Sequence, residues 1–591
     1  MAPGFSVVKV RAKARPVSMK PRIIFAAITG CAALLFASAA SWGKPPPPEP
    51  APTFNRDVAP IIFGNCIVCH HPGGIGPFNL ADYREVRKRA KTIAEVTASR
   101  FMPPWLPEHG ALEFVGERRL TDAQIATIGR WWKAGAPEGA KADLKAKPAW
   151  SDEWQLGKPD LVVTMPAPYT LPADGRDVYR NFVLPDVVPA DRYVWAIEIR
   201  PGNARVVHHV ALLLDTTGDA RARAARETEP GYPGMSAGRG AGRPQGHLLT
   251  WQPGKRVLPV PAGTAWVLRG HSDLVIQSHM RPSGKPEQVQ MSVALYFTDE
   301  PPVREAFVAL LRSTELAIPP GEKDYAIESE YTLAVDVEVV GVFPHLHYLG
   351  KEVRGWAELP DGSRQELITI RQWDFNWQGD YQYATPPILP KGTKLRMRCT
   401  YDNSAGNIRN PHQPPRQVYY GPQTSDEMGD LFFQLLPRNA ADLAVLRKDY
   451  FANYGLRDSI GFARAMLRHD PRDADSRTDL GAALVRSGKA DEGVLELRKA
   501  VEDDPKAARA HYVLGQVCAS RNDLAGALAA LSRSVELDPN DPSAHNDLGY
   551  LLIVAGRRDE AIAHLEKALA LNPGDALARR NLEKARALPV K

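Results

Sequence analysis

Four prolines, Pro471, Pro505, Pro539 and Pro573, recur every 34 residues, and Gly481, Gly515 and Gly549 keep the same interval. A fixed period of this length fixes the architecture of residues 440–591 before any other feature is considered. Each unit is too small to bury its own apolar face, so neighbouring units must stack into one continuous core. Leu480-Gly481, Leu514-Gly515 and Leu548-Gly549 mark a first helix in each unit. Gly493, Ala527 and Ala561, with Ala500, Ser534 and Ala568, mark the small positions of a second, where helices cross closely. Each proline then ends the second helix, because it lacks an N–H and its ring blocks the preceding turn. Residues 443–470 read as a degenerate leading pair and Ala576–Leu588 as a capping helix, with Cys518 an inert buried residue.

This period and pattern resemble tetratricopeptide repeats. The resemblance implies an α-helical solenoid whose concave groove takes a protein partner; the alternative is a brace packed on the rest of the chain.

The remainder of the 591 residues must hold further domains. Residues 1–39 contain Lys9, Arg11, Lys13, Arg15, Lys20 and Arg22 and no acidic residue, which accounts for the net charge of +6. Without them the balance is about zero, so the basic pI gives no argument for nucleic acid. The basic start, the apolar run Ile23–Phe36 and Ala37-Ser38-Ala39 have the anatomy of a cleaved signal peptide. The expectation is an exported, periplasmic protein with no stable membrane span after cleavage; lipoprotein processing at Cys31 and an uncleaved anchor, for which the apolar run is short, are the alternatives. Cys399 and Cys518, far apart, leave no disulfide to expect.

Residues 40–52 form a Pro-rich linker, and residues 53–140 the first folded unit. It carries Cys66-Ile-Val-Cys69-His70, the spacing for covalent haem attachment. Two thiols add to the two porphyrin vinyl groups while the adjoining histidine ligates iron. A redox-active pair or half a zinc site is the rival, and no second cysteine pair exists for zinc. Met102, followed by proline on a loop ahead of a helix from Thr121 to Ala134, is the expected second axial ligand. Core filler is its rival reading, and His71 and His109 are weaker candidates. The segment resembles class I cytochromes c. That implies an all-α domain with one covalently bound c-type haem, both axial positions filled, suited to carrying electrons.

Residues 155–437 change rhythm. Short alternating runs (Tyr193–Ile199, Val206–Leu214, Asp273–His279, Val289–Phe297, Ser329–Val339, Lys394–Thr400) separated by Pro/Gly-rich turns predict antiparallel, jelly-roll-like β-sandwiches. The length calls for two, residues 155–300 and 301–437, joined at Asp299-Glu-Pro-Pro302. Leu333, Val335, Val337 and Val339 alternate with polar residues ahead of His345-Leu-His347, so both histidines project from one strand face and can share a metal. His208 and His209 are adjacent, and adjacent residues face opposite ways. Both reach one metal only at a bulge or through different ring nitrogens; otherwise one is simply packed. His279 and Met428 complete the list, while His247, His271 and His412 read as structural.

The order His208-His209, His279, His345-x-His347 followed by Leu-Gly-Lys, then Met428 in Thr-Ser-Asp-Glu-Met, is similar to that of the type II copper, ascorbate-dependent monooxygenases. The resemblance implies two copper ions. His208, His209 and His279 would hold the one that transfers electrons; His345, His347 and Met428 would hold the catalytic one that meets dioxygen, with Gln277 near the route between them. It also implies hydroxylation of a C–H bond in a small organic substrate; relatives draw electrons from ascorbate, and the fusion alone suggests that here they pass from an external donor through the haem. Two departures stand out. Phe343 and Phe432 replace the arginine and tyrosine that hold a peptide carboxylate in relatives, so an uncharged or apolar substrate end is expected. Gly429 replaces a cysteine after the ligand methionine, leaving Cys399 without its partner. The rival from another class is a non-catalytic haem/copper electron-transfer protein carrying a binding arm.

Overall fold

The computed structural model describes residues 50–72, 74–145, 154–238 and 240–589. The leader, its cleavage site, Cys31 and the linker up to residue 49 lie outside the described residues. Among the described residues no helix is long and apolar enough to cross a membrane.

The first unit is helical. Ala59–Asn65, Tyr83–Lys88, Ala90–Ala98 and Asp122–Lys133 enclose a core of Phe54, Val58, Ile62, Ile128 and Trp131. The last helix starts where expected because Thr121 and Gln124 cap each other's backbone N–H in a reciprocal box.

Two antiparallel sandwiches follow. In the first, Leu161–Thr164, Ser292–Thr298, Arg192–Arg200 and Trp266–Leu268 form one sheet. Its facing sheet has Val178–Leu184, Asp273–Met280 and Val207–Asp215 at its centre. In the second, Phe307–Arg312, Gly429–Pro437 and Val337–Leu346 lie side by side, against Tyr325–Thr332, Lys394–Tyr401, Gly350–Glu358 and Arg364–Ile370. Along Lys394–Tyr401 the residues Leu395, Met397, Cys399 and Tyr401 are buried alternately, as a one-sided strand requires.

One predicted strand is corrected. Ser329–Val339 is not continuous: Tyr325–Thr332 and Val337–Leu346 lie in different sheets, joined by a corner at Leu333–Asp336. The alternation at Leu333 to Val339 therefore spans a change of sheet. The register then skips Val340 between Val339 and Gly341, which resets which side chains face inward.

The repeats form the expected pairs, Ala474–Arg486 with Ala490–Asp503, Ala508–Ser520 with Leu524–Leu537, and Pro542–Val554 with Arg558–Leu571, closed by Ala576–Arg586. A Cβ on Gly481 would lie 2.6 Å from Leu497 Cγ, so the crossing is as close as the glycine suggested. The leading pair, Ala440–Tyr450 and Leu456–His469, braces the second sandwich. There Arg312 and Asp458 form a partly buried two-point ion pair at 2.6 and 2.7 Å, and the Tyr454 hydroxyl meets the Arg312 backbone.

The helical unit is docked as well. Trp105, Leu106, Leu112 and Phe114 pack on the second sandwich. Val115 N–H donates to the Gln382 carbonyl and Ala384 N–H to that of Glu113, both at 2.8 Å. Arg118 donates to the Gly254 carbonyl of the first sandwich at 2.9 Å.

Candidate metal centre

His208 and His209 sit where Val207–Asp215 pairs with Asp273–Met280. The register runs His279 opposite His209, then Met280 opposite Val207, so His208 is the extra residue of a β-bulge. That is the device two adjacent histidines need to serve one site. One ring nitrogen from each of His208, His209 and His279 lies within 4.8 Å of the others. His279 Nε2–H donates to Asp177 at 3.0 Å, which leaves Nδ1 as the lone-pair nitrogen, met by the Tyr179 hydroxyl at 3.2 Å. Burial is the largest single influence on the Asp177 carboxyl and raises it, yet the His279 hydrogen bond and charge, the Thr424 N–H and Arg281 together hold it down at about 2. Gln277, two residues before His279, spends its amide on the Met235 carbonyl and Asn181 at 2.7 and 3.2 Å.

In the second sandwich His345 lies one residue before the end of the strand Val337–Leu346, and its ring lies 5.3 Å from that of His347. His345 pairs with Asp430 and Leu346 with Gly429, and Met428 immediately precedes this paired strand as His347 immediately follows its partner. The buried carboxylate of Glu427 ties the two segments together, accepting the N–H groups of His347, Leu349 and Met428. His347 Nδ1–H donates to the Asp426 carbonyl, and its buried Nε2 has no hydrogen-bond partner. An orphaned imidazole nitrogen beside a second imidazole is a ligand pair that fits a metal, and Met428, whose backbone N–H is tied through Glu427 to the His347 segment, is the thioether that would suit Cu(I).

The two trios adjoin rather than stand apart. His209 and His345 meet edge-on with centroids 5.5 Å apart. One amide bridges them: Gln378 accepts from His345 Nδ1–H at 2.5 Å and donates to His208 Nδ1 at 3.3 Å. Phe375 stacks on His208 at 4.1 Å. Burial pushes His208, His209 and His347 well below the usual imidazole range and His345 to about 4; burial also lowers His279 despite Asp177. All five are therefore neutral near pH 7, the form that binds metal.

Beside His345 lies an apolar floor. Phe343 and Phe432 stack at 5.4 Å against Leu248, Val308 and Leu310, with the Arg243 guanidinium over Phe432 at 5.0 Å. Gly429 has its own reason: a Cβ there would lie 2.2 Å from the Tyr401 hydroxyl, which donates to the Met428 carbonyl at 3.0 Å. Tyr401 braces the methionine segment, and Cys399 remains a free, buried thiol.

Cys66, Cys69, His70 and Met102 line one cavity of about 860 Å³. His71 and His109 are not part of its lining. His70 Nδ1–H donates to the Phe78 carbonyl at 3.1 Å, leaving Nε2 as the available ligand atom. A Cβ on Gly76 would meet that ring at 2.6 Å. Burial lowers the His70 pKa and pushes the Cys66 thiol up to about 12.

The three histidines read as structural lie outside both trios. His271 is exposed and pairs with Asp186; His247 is buried against Gln434; His412 donates to the Ser425 carbonyl, behind the Met428 segment. Glu427, Gln378, Phe375, Asp177 and Tyr401 are the residues in contact with the trios that sequence reasoning missed. Only Glu427, within the quoted Thr-Ser-Asp-Glu-Met, lay inside a motif.

Residues 460–542 and 519–585 match models of the tetratricopeptide repeat. No curated protein matches the chain. Two solved structures with similarity, both crystal structures of MamA, are 25% identical and cover 23% of this chain. They match over 75% and 91% of their own lengths, with TM-scores of 0.21 and 0.20. Residues 305–443 match the family model described as copper type II ascorbate-dependent monooxygenase, C-terminal domain. The sandwich bearing His345, His347 and Met428 is thus a domain of that family, and the family implies copper.

Proposed function

We propose that this chain is an exported, copper-dependent monooxygenase that hydroxylates a C–H bond of a small organic substrate with dioxygen, using electrons supplied through a covalently bound c-type haem. One observation carries the reading. Five imidazoles scattered over 140 residues of sequence gather, neutral, into one buried cluster between two sandwiches. Copper, when bound, supplies dioxygen reduction and C–H oxidation by one-electron steps. The chain's own residues do the rest. His208, His209 and His279 would hold one ion and His345, His347 and Met428 the other; Gln378 fixes two of the rings, and Glu427 fixes the backbone that presents His347 and Met428. The Phe343–Phe432 pair beside His345 would receive the apolar end of the substrate.

The haem fits its cavity by the same standard. Two thiols, an imidazole with a free Nε2 and a thioether line one space, walled by Ile75, Phe78, Leu80, Ile93 and Val96. Bound there, it supplies single electrons drawn from a donor outside the chain. The leader places the work in the periplasm, and the repeats beyond the brace offer a surface for a protein partner.

Metal analysis of the purified protein should find two copper ions and one haem per chain. Small organic compounds screened for oxygen uptake with the haem pre-reduced should yield a product carrying one atom of labelled dioxygen. Copper well below two per chain, or unlabelled product, would leave a non-catalytic electron carrier in its place.

A further inference from the structure

The cavity beneath Cys66 and Cys69 is not closed by the helical unit alone. Its far wall includes Val207, His208, Pro253 and Arg281 of the first sandwich and Trp377 of the second. His208 is therefore both a wall of this cavity and a member of the first trio. Its ring is held by Phe375, stacked 14° from parallel, and by the Gln378 amide. The Pro253-Gly254 loop approaches Cys69 so closely that a Cβ on Gly254 would lie 3.2 Å from Sγ. A porphyrin joined to Cys69 would therefore present that edge toward the first sandwich. Backbone hydrogen bonds from Val115 and Ala384 pin the helical unit in this position.

Resting on the haem-and-copper reading above, we propose that His208 is the electron entry of the first trio. It receives one electron from the porphyrin edge at Cys66 and Cys69, across the shared cavity, with no movement of the helical unit. In that step ferrous iron is oxidised to ferric and Cu(II) is reduced to Cu(I). No bond forms or breaks, and the iron is re-reduced by a one-electron donor from outside. A competing path through the same wall would run over Trp377.

The test uses the full chain loaded with haem and copper, without oxygen, made ferrous at iron and Cu(II) at copper in a stopped-flow mixer. Haem reoxidation is followed by its visible absorption. It should be first order, independent of protein concentration and of added sucrose. Phe375→Leu, which frees the His208 ring, should slow it roughly tenfold or more at unchanged metal content, the scale on which small misplacements are felt. Trp377→Leu should leave the rate nearly unchanged. A rate that rises with protein concentration or falls with viscosity overturns the fixed path; a tenfold loss in Trp377→Leu with Phe375→Leu unaffected overturns the role of His208. Failure of the underlying reading looks different, since haem or copper would then be missing from the starting protein.

Discussion

The two metal trios draw on similar materials, buried neutral side chains at the ends of sandwich strands, but they are held differently. The first is gripped through its rings: Asp177 bonds His279, Tyr179 stacks on His279 at 4.3 Å, and Phe375 stacks on His208. The second has ring bonds too, from His345 to Gln378 and from His347 to the Asp426 carbonyl, but adds a backbone grip, with Glu427 gathering three N–H groups and Tyr401 holding the Met428 carbonyl. Ring contacts fix the orientation of an imidazole, which suits a station on an electron path. Backbone contacts fix where a ligand starts and leave its side chain more freedom, which suits a site whose coordination must change during turnover. The surroundings agree, since the first trio borders the Cys66–Cys69 cavity and the second borders the Phe343–Phe432 floor.

The largest effects should separate the trios outright. Met428→Leu should abolish product formation while haem reoxidation by the first copper survives. His279→Ala should abolish both, and each variant should bind one copper in place of two. Copper analysis beside single-turnover haem traces reads both outcomes. Turnover retained by Met428→Leu would break the comparison at its root.

A smaller effect tests how independent the sites are. Asp177→Asn removes the carboxylate that orients His279 and should weaken copper at the first trio by roughly 10–100-fold. Glu427→Gln should weaken the second instead, because an amide NH₂ would face N–H donors where an oxygen now accepts. Copper titration followed by electron paramagnetic resonance distinguishes the two ions. Equal loss at both sites in either variant would mean that Gln378 couples the trios into one cluster.

What was legible in the sequence follows the same division. The repeat period, the Cys66–His70 motif and the order of histidines each depend on spacing along the chain, and each led to the element that carries it. The bulge at His208 was foreseen as one of three readings; only pairing with Asp273–Met280 could select it. Gln378 and Phe375 were invisible because they act across the gap between sandwiches, on a short helical turn with no period of its own. The strand error at Leu333 had the opposite cause, a two-residue period that continued through a corner. Docking of the helical unit could not be read at all, since Trp105 and Phe114 look like any loop aromatics until Tyr381 and Tyr383 lie against them.

The smallest effect sharpens the comparison at a single carbonyl. If the second trio is held through its backbone, then removing one hydroxyl that bonds the Met428 carbonyl should be felt there. Tyr401→Phe deletes the donor to the Met428 carbonyl within a buried environment and should cost about 1 kcal/mol in the unfolding transition of the second sandwich. It also empties the space that forbids a side chain at position 429. Gly429→Ala alone must push a methyl group into the Tyr401 oxygen and against Ile327 Cδ1, at 2.2 and 2.4 Å. In the Tyr401→Phe background only the flexible isoleucine tip must yield, so Gly429→Ala should cost less there than in the parent. A double-mutant cycle on thermal unfolding and copper retention measures that coupling. Strict additivity would mean that the tyrosine and the glycine are unrelated, and that the methionine segment is held by Glu427 alone.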